Sequence, residues 1–250
     1  ERIDPQRLLQ LIAAGDQGNL GAFWQAYEQE MGGVFRPAIR DTLLGAADLT
    51  GTRLGVGTSF DLTNPKAVQL IDTQAALLVR GITDESRAAI REVLRQGFLG
   101  NADVPEMARR IRNSIGLTPQ YATAVENYRR GQLAAGVPPG KVDRQADRYA
   151  QELLNLRATT IARTETIRAA NLGQQAVWED ARRNGFVSPE ARRIWIVTPD
   201  DRLCPICEAI ADDNQDGVGL TEPFDSEVGA LMTPPAHPNC RCAIGLQYPE

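Results

Sequence analysis

All four cysteines of this 250-residue chain, Cys204, Cys207, Cys240 and Cys242, and its one histidine, His237, fall in a single stretch near the C-terminal end. No other feature restricts the possible folds as strongly. Cys204-Pro-Ile-Cys207 sets two thiols across a two-residue gap, from which both thiolates can turn back onto one ion. His237-Pro-Asn-Cys240-Arg-Cys242 adds three more donors. Zinc takes about four nitrogen or sulfur ligands in a tetrahedron, so five candidates compete for four places. Cys204 and Cys207 are the firmest pair, and His237 with one of the last two cysteines completes a Cys3His set. If residues 240–242 are extended, Cys240 and Cys242 share a face about 6.8 Å apart, too far for adjacent ligands unless the chain turns. His237-x-x-Cys240 repeats the spacing of the first pair and favours Cys240, with Cys242 as the alternative. Two disulfides, a redox-active Cys204–Cys207 pair and plain buried thiols are the competing readings. A structural zinc is expected over a catalytic one. A catalytic ion needs an open position and a nearby base, and the chain has no His-Glu-x-x-His segment.

Cysteines gathered into one metal-like cluster suit a reducing compartment better than a secreted disulfide framework. The net charge of −5 disfavours a surface that coats polyanions, while leaving room for a local basic face. No apolar run approaches membrane-spanning length, so no membrane partner is expected. No secretory leader is visible, although the chain begins at Glu1 rather than Met and an upstream leader stays open.

Ahead of the cluster the pattern is helical. Leu8, Leu9, Leu11 and Ile12 form a short apolar segment ending at Gly15. Phe23, Trp24, Tyr27 and Met31 recur at helical spacing, as a core face or a docking face for a partner. Gly45 to Gly57 reads as a loop or hinge. Asn64-Pro65 opens a helix, Thr83 caps a second bearing Ile90, Val93, Leu94 and Phe98, and Asp103 caps a third bearing Val104, Met107, Ile111 and Ile115. Gly116 ends the third, and Thr118-Pro119 starts a fourth with Tyr121, Val125 and Tyr128. This run superficially resembles a helix-turn-helix, but Gln120, Thr123 and Glu126 offer a poor set of base contacts. Gly136-Val-Pro-Pro-Gly140 is a linker or sharp turn. A long helix then runs from Lys141 to about Arg183, stopping at Asn184-Gly185. Within it Arg163, Glu165, Arg168 and Asn171 interrupt an apolar context. Glu165 and Arg168 can pair three residues apart. Arg163, Glu165 and Asn171 are either a solvated face or a polar tie to the metal module.

Residues 193–197 (Arg-Ile-Trp-Ile-Val) read as a strand, and residues 243–248 as its return. Strand, knuckle, loop and closing strand form a small β unit at 193–248 with little core of its own, which zinc staples. Asp212-x-Asn214-x-Asp216-Gly217 opens like a calcium loop but has Pro223 where the twelfth-position acid belongs, so calcium is not expected. The fold class is therefore mainly α, with helical N-terminal segments and a long helix followed by a zinc-stapled antiparallel β module, α+β overall. The expected divisions are 1–60, 61–156 and 157–250.

Arg163-Thr164-Glu165, Trp195, Asp201, Cys204, Cys207, Pro234, Pro235, His237, Cys240 and Cys242, in that order, resemble the phage Mu F-like head morphogenesis proteins, also called minor head proteins. The likeness covers roughly residues 100 to 248 and is most specific over 157–248. It implies a low-copy virion component of a tailed phage or prophage, at the portal or head interior, assembled in the host cytoplasm. Its candidate partners would be the portal, the major head protein and packaged DNA, and its role head assembly or DNA packaging and ejection.

Two other classes compete. A zinc-dependent nuclease or hydrolase would need His237, Glu208 or Asp201 as acid or base, yet a histidine spent on zinc is no free base. A nucleic-acid-binding module would use Arg157, Arg163, Arg168, Arg182, Arg183, Arg192 and Arg193, offset by Glu165, Glu179, Asp180 and Glu190. No enzymatic activity is expected.

Overall fold

The computed structural model describes residues 7, 8, 10, 11, 17–57, 60, 61, 63–99 and 104–248. Leu9, Ile12, Gly15 and the Asp103 cap lie outside the described residues, as do the side chains of Phe98 and Val104. Helices α1 (Gln17–Leu54), α2 (Pro65–Leu99), α3 (Val104–Ser114), α4 (Pro119–Ala134) and α5 (Pro139–Arg183) precede strand β1 (Arg192–Ile196). Helix α6 (Pro205–Asp213), β2 (Val218–Gly219) and β3 (Ala243–Gln247) follow. The chain is mainly α with a three-stranded antiparallel sheet in the order β2-β1-β3.

Several local signals act as expected. Asn64 accepts the Lys66 N–H at 3.0 Å and starts α2, and Thr118 accepts the Tyr121 N–H at 3.2 Å and starts α4. Gly136 at φ 78° turns α4 into α5, and Gly185 at φ 78° closes α5.

Three expectations fail. The glycine-interrupted N-terminal region is one 38-residue helix that runs through Pro37 and through Gly45 to Leu54. Thr83 does not cap a helix. It sits buried inside α2, its hydroxyl donating to Val79 O at 2.9 Å. Residues 205–213 form a helix rather than a knuckle and loop. In the first two cases packing overrides local propensity, about 1 kcal/mol or less for each glycine or threonine and about 3 kcal/mol for Pro37.

The chain divides into two compact units. The first takes the described residues of Glu1–Phe35 with Ala75–Thr159, the second Arg36–Gln74 with Thr160–Glu250. In the first unit the aromatic stripe turns inward. Trp24 and Tyr27 are buried and meet edge to face at 5.8 Å, and Arg87 lies 4.9 Å over the Trp24 ring. These two aromatics are core, which removes them as a docking face. Buried Glu126 and Arg129 pair with half-buried partners, Glu126 with Arg110 at 3.0 Å and Arg129 with Asp143 at 2.5 Å, and Asp143 also takes Arg109 at 2.7 Å. Burial raises the Glu126 pKa in spite of its arginines. Glu126, one of the side chains a helix-turn-helix would offer to DNA, is thus an interior group.

In the second unit α1 and α5 approach at Gly173, where an added Cβ would lie 2.4 Å from Leu43 O. Only glycine permits that contact. The core gathers Trp178 and Ala181 of α5 with Trp195 of β1, Ile210 of α6, Leu220, Phe224 and Ile244 of β3. Trp195 meets Phe224 edge to face at 5.2 Å. The β unit therefore does not stand on its own small core, because the C-terminal end of α5 completes it.

Candidate metal centre

The first donor pair is delivered by a helix start. Cys204 is the N-cap of α6, its sulfur 3.4 Å from the Cys207 N–H, and Pro205 occupies the first helical position. An N-cap normally carries Ser, Thr, Asp or Asn, and here the Cys204 sulfur fills that role beside the positive end of the helix. One turn brings Cys207 alongside it, buried.

The second set comes from a tight turn. The Cys240 N–H donates to His237 O at 3.2 Å, and Asn239 between them adopts φ 60°, a left-handed conformation that asparagine tolerates better than most residues. The turn lays His237 over the helix start, with Nε2 3.1 Å from Cys204 Sγ and 3.2 Å from Cys207 Sγ. Its Nδ1 lies 2.9 Å from Pro238 O. That oxygen can only accept, so Nδ1 carries the proton and Nε2 is left with a lone pair for a metal.

Two donor groups result, Cys204–Cys207–His237 and Cys207–Cys240–Cys242, each with all its ligand atoms within 4.8 Å of one another. Cys207 belongs to both. The Cys240 and Cys242 sulfurs lie within 4.8 Å of each other, nearer than the roughly 6.8 Å spacing expected of an extended segment. Cys207 and Cys240 sulfurs are 3.7 Å apart. A tetrahedral ion with metal–sulfur bonds near 2.3 Å has an edge of about 3.8 Å between sulfurs, so this pair fits. The sulfur–nitrogen edges are a few tenths of an ångström short of the roughly 3.6 Å such an ion sets, so binding would ease His237 outward. All four cysteines are free thiols.

Protonation is divided among the thiols. Cys240 falls to about 5, chiefly because the Cys242 thiol donates to it, with backbone N–H groups assisting. Cys207 is pushed up to about 12 by burial. Cys242 is raised further, being the donor to Cys240 and buried as well. For Cys204, burial opposes ionisation but hydrogen bonds and His237 outweigh it and lower the pKa. The cluster thus offers four sulfurs and one imidazole nitrogen, a donor set of borderline softness that suits zinc.

Two further contacts fix the module. Asp200 accepts two hydrogen bonds from Arg241 at 2.6 and 2.7 Å, clamping the residue between Cys240 and Cys242. Arg193, fully buried on β1, donates to Gly219 O at 3.2 Å and Gln175 Oε1 at 3.1 Å. It also donates to Met232 O and Glu222 O, and its guanidinium lies 5.1 Å from the Phe224 ring centre. Burial lowers its pKa to about 10, with Glu179 and Glu222 offsetting part of the cost.

Of the three residues expected to tie the long helix to this module, Asn171 does so. Its Nδ2 lies 3.4 Å from Cys242 O, and its Oδ1 accepts the Ile244 N–H at 2.9 Å. Arg163 is exposed, and Glu165 pairs with Arg168 on the same helix at 3.2 Å. Sequence reasoning missed Gln175 and the roles of Asn239, of Thr164, named only within the family motif, and of Arg193, named only as a nucleic-acid contact. Arg193 carried one usable signal: the two-residue alternation of a strand sets it on the face of Trp195.

The competing chemistries lose residues. Arg193 and Arg157 are interior, the latter bonded to Gly116 O and Glu85, so neither can meet nucleic acid. Asn214, at the third position of the calcium-like loop, bonds Ile210 O at 2.7 Å and both the N–H and carbonyl of Asp225 at 3.0 Å. No helix among the described residues is long and apolar enough to cross a membrane.

A family model described as "Phage Mu protein F like protein" matches residues 88–245, more than half of the chain and every candidate ligand. Comparison with curated proteins and with solved structures finds no match.

Proposed function

This chain belongs to the family of phage Mu protein F like proteins, and from that premise we propose that it is a minor head protein of a tailed phage or prophage. It acts in few copies at the portal or in the head interior, in head morphogenesis and in packaging or ejection of DNA. It works by binding, without turnover. Its C-terminal module is held by one structural zinc on Cys204, Cys207, His237 and one of Cys240 or Cys242. The observation that carries this reading is that the family match spans all five donors, which converge around Cys207.

The non-catalytic role is supported by the state of the one histidine, whose Nδ1 is engaged by Pro238 O and whose Nε2 faces two sulfurs. A group committed on both nitrogens cannot serve as a general base. Asp201 and Glu208, the carboxylates a hydrolase would need, have no place among the clustered donors.

Purified particles test the role. Mass spectrometry should find this chain at a few copies per particle, and particles assembled without it should be defective in head number, genome content or infectivity. Its absence from particles, with normal heads formed without it, would refute the assignment.

A further inference from the structure

On α5, Thr160, Thr164, Asn171 and Gln175 are spaced by four, seven and four residues, which sets them along one face of the helix. The first three meet the segment that carries His237, Cys240 and Cys242. Asn239, between ligands His237 and Cys240, donates its backbone N–H to Thr164 Oγ1 at 3.0 Å and its Nδ2–H to Thr160 Oγ1 at 3.3 Å. The Thr164 hydroxyl donates in turn to Thr160 O at 2.7 Å, so it is held in place while it accepts from Asn239. Two turns along, Asn171 binds Cys242 O and the Ile244 N–H, in the pattern a parallel neighbouring strand would use. Gln175 donates to Leu220 O and accepts from Arg193 at 3.1 Å.

We propose that Thr164 is a positioning residue for the metal, holding the left-handed Asn239 so that His237 and Cys240 face Cys204 and Cys207 before any ion arrives. A left-handed non-glycine residue persists only where its surroundings fix it. Here the Thr164 oxygen fixes the one backbone N–H that lies between two ligands. Without that acceptor, His237 and Cys240 lose their common orientation, and the ion must organise them at its own expense. Outer partners of metal ligands typically affect affinity tenfold to a hundredfold. The proposal rests on the metal reading above.

The test compares the full chain with Thr164→Val and Thr164→Ser. Zinc affinity is measured by competition with a chromophoric chelator, and cobalt(II) spectra report the thiolate set. Thr164→Val, equal in volume but without the hydroxyl, should bind zinc at least tenfold more weakly. Thr164→Ser should restore affinity to within about threefold of the parent, since it keeps the acceptor. Helix content of the metal-free proteins by circular dichroism should be unchanged in both. Equal affinity of parent and Thr164→Val, or weak binding by Thr164→Ser as well, would overturn the proposal while leaving the metal site intact. A parent chain that takes up neither zinc nor cobalt would overturn both.

Discussion

Removing the Arg193 side chain should cost more stability than any other single change in the second unit. The guanidinium is wholly buried and donates to the carbonyls of Gly219, Glu222 and Met232 and to Gln175 Oε1. In Arg193→Met the stem remains, but four acceptors, the buried Gln175 Oε1 and three partly buried carbonyls, lose a charged donor. Hydrogen bonds to charged groups contribute about 1.5–3 kcal/mol each, which gives roughly 6–12 kcal/mol in gross terms. Against that stands the burial cost of the cation, visible as its pKa falling from the ordinary arginine value to about 10. At about 1.4 kcal/mol per pKa unit the substitution recovers roughly 3 kcal/mol. The net loss is of order 3–9 kcal/mol, comparable with the whole stability of many domains. Urea unfolding followed by the fluorescence of Trp178 and Trp195 should show the core transition displaced to low denaturant or lost. A loss under about 1 kcal/mol would refute the claim that Arg193 organises the module.

Two other perturbations follow from single contacts. Gly173→Ala would press a Cβ to 2.4 Å from Leu43 O, and the backbone must shift to relieve it. A cost of about 1–3 kcal/mol is expected, lowering the melting temperature by roughly 2 °C or more, and an unchanged or higher value would contradict it. Arg241 holds the Asp200 carboxyl well below its ordinary range, so whatever the pair contributes is complete above the ordinary carboxylate pKa and is lost as pH falls through the folded value. The stability difference between the parent and Asp200→Asn, both kept metal-free, should therefore shrink from pH 7 to pH 3. A difference that grows on acidification would contradict this.

Much of the architecture is legible in the residues. Asn64-Pro65, Thr118-Pro119 and Asn184-Gly185 fix helix ends through backbone chemistry that acts locally, and β1 follows from its β-branched and aromatic residues. The five donors are legible because few other chemistries explain such a gathering of thiols with one imidazole. What the sequence hides is whatever depends on distant partners. Gly45 and Gly51 read as loop residues because their cost in a helix is local, while the compensating packing of Leu43 and Ala47 is not visible in the chain. Cys204-Pro-Ile-Cys207 reads as a knuckle because its spacing suits one, whereas Pro205 at the first helical position, followed by Ala209 and Ala211, also begins a helix. Arg193 reads as surface charge because burial of an arginine depends on carbonyls as much as 39 residues away in the chain.

The central claim, that the convergent donors hold one structural zinc, is tested most directly by native mass spectrometry of the full chain purified without chelator. The account predicts one zinc per chain and its loss in Cys207→Ser, since Cys207 belongs to both donor groups. Only one of Cys240→Ser and Cys242→Ser should abolish binding. A metal-free chain with four freely titrating thiols, or zinc retained after Cys207→Ser, would contradict it.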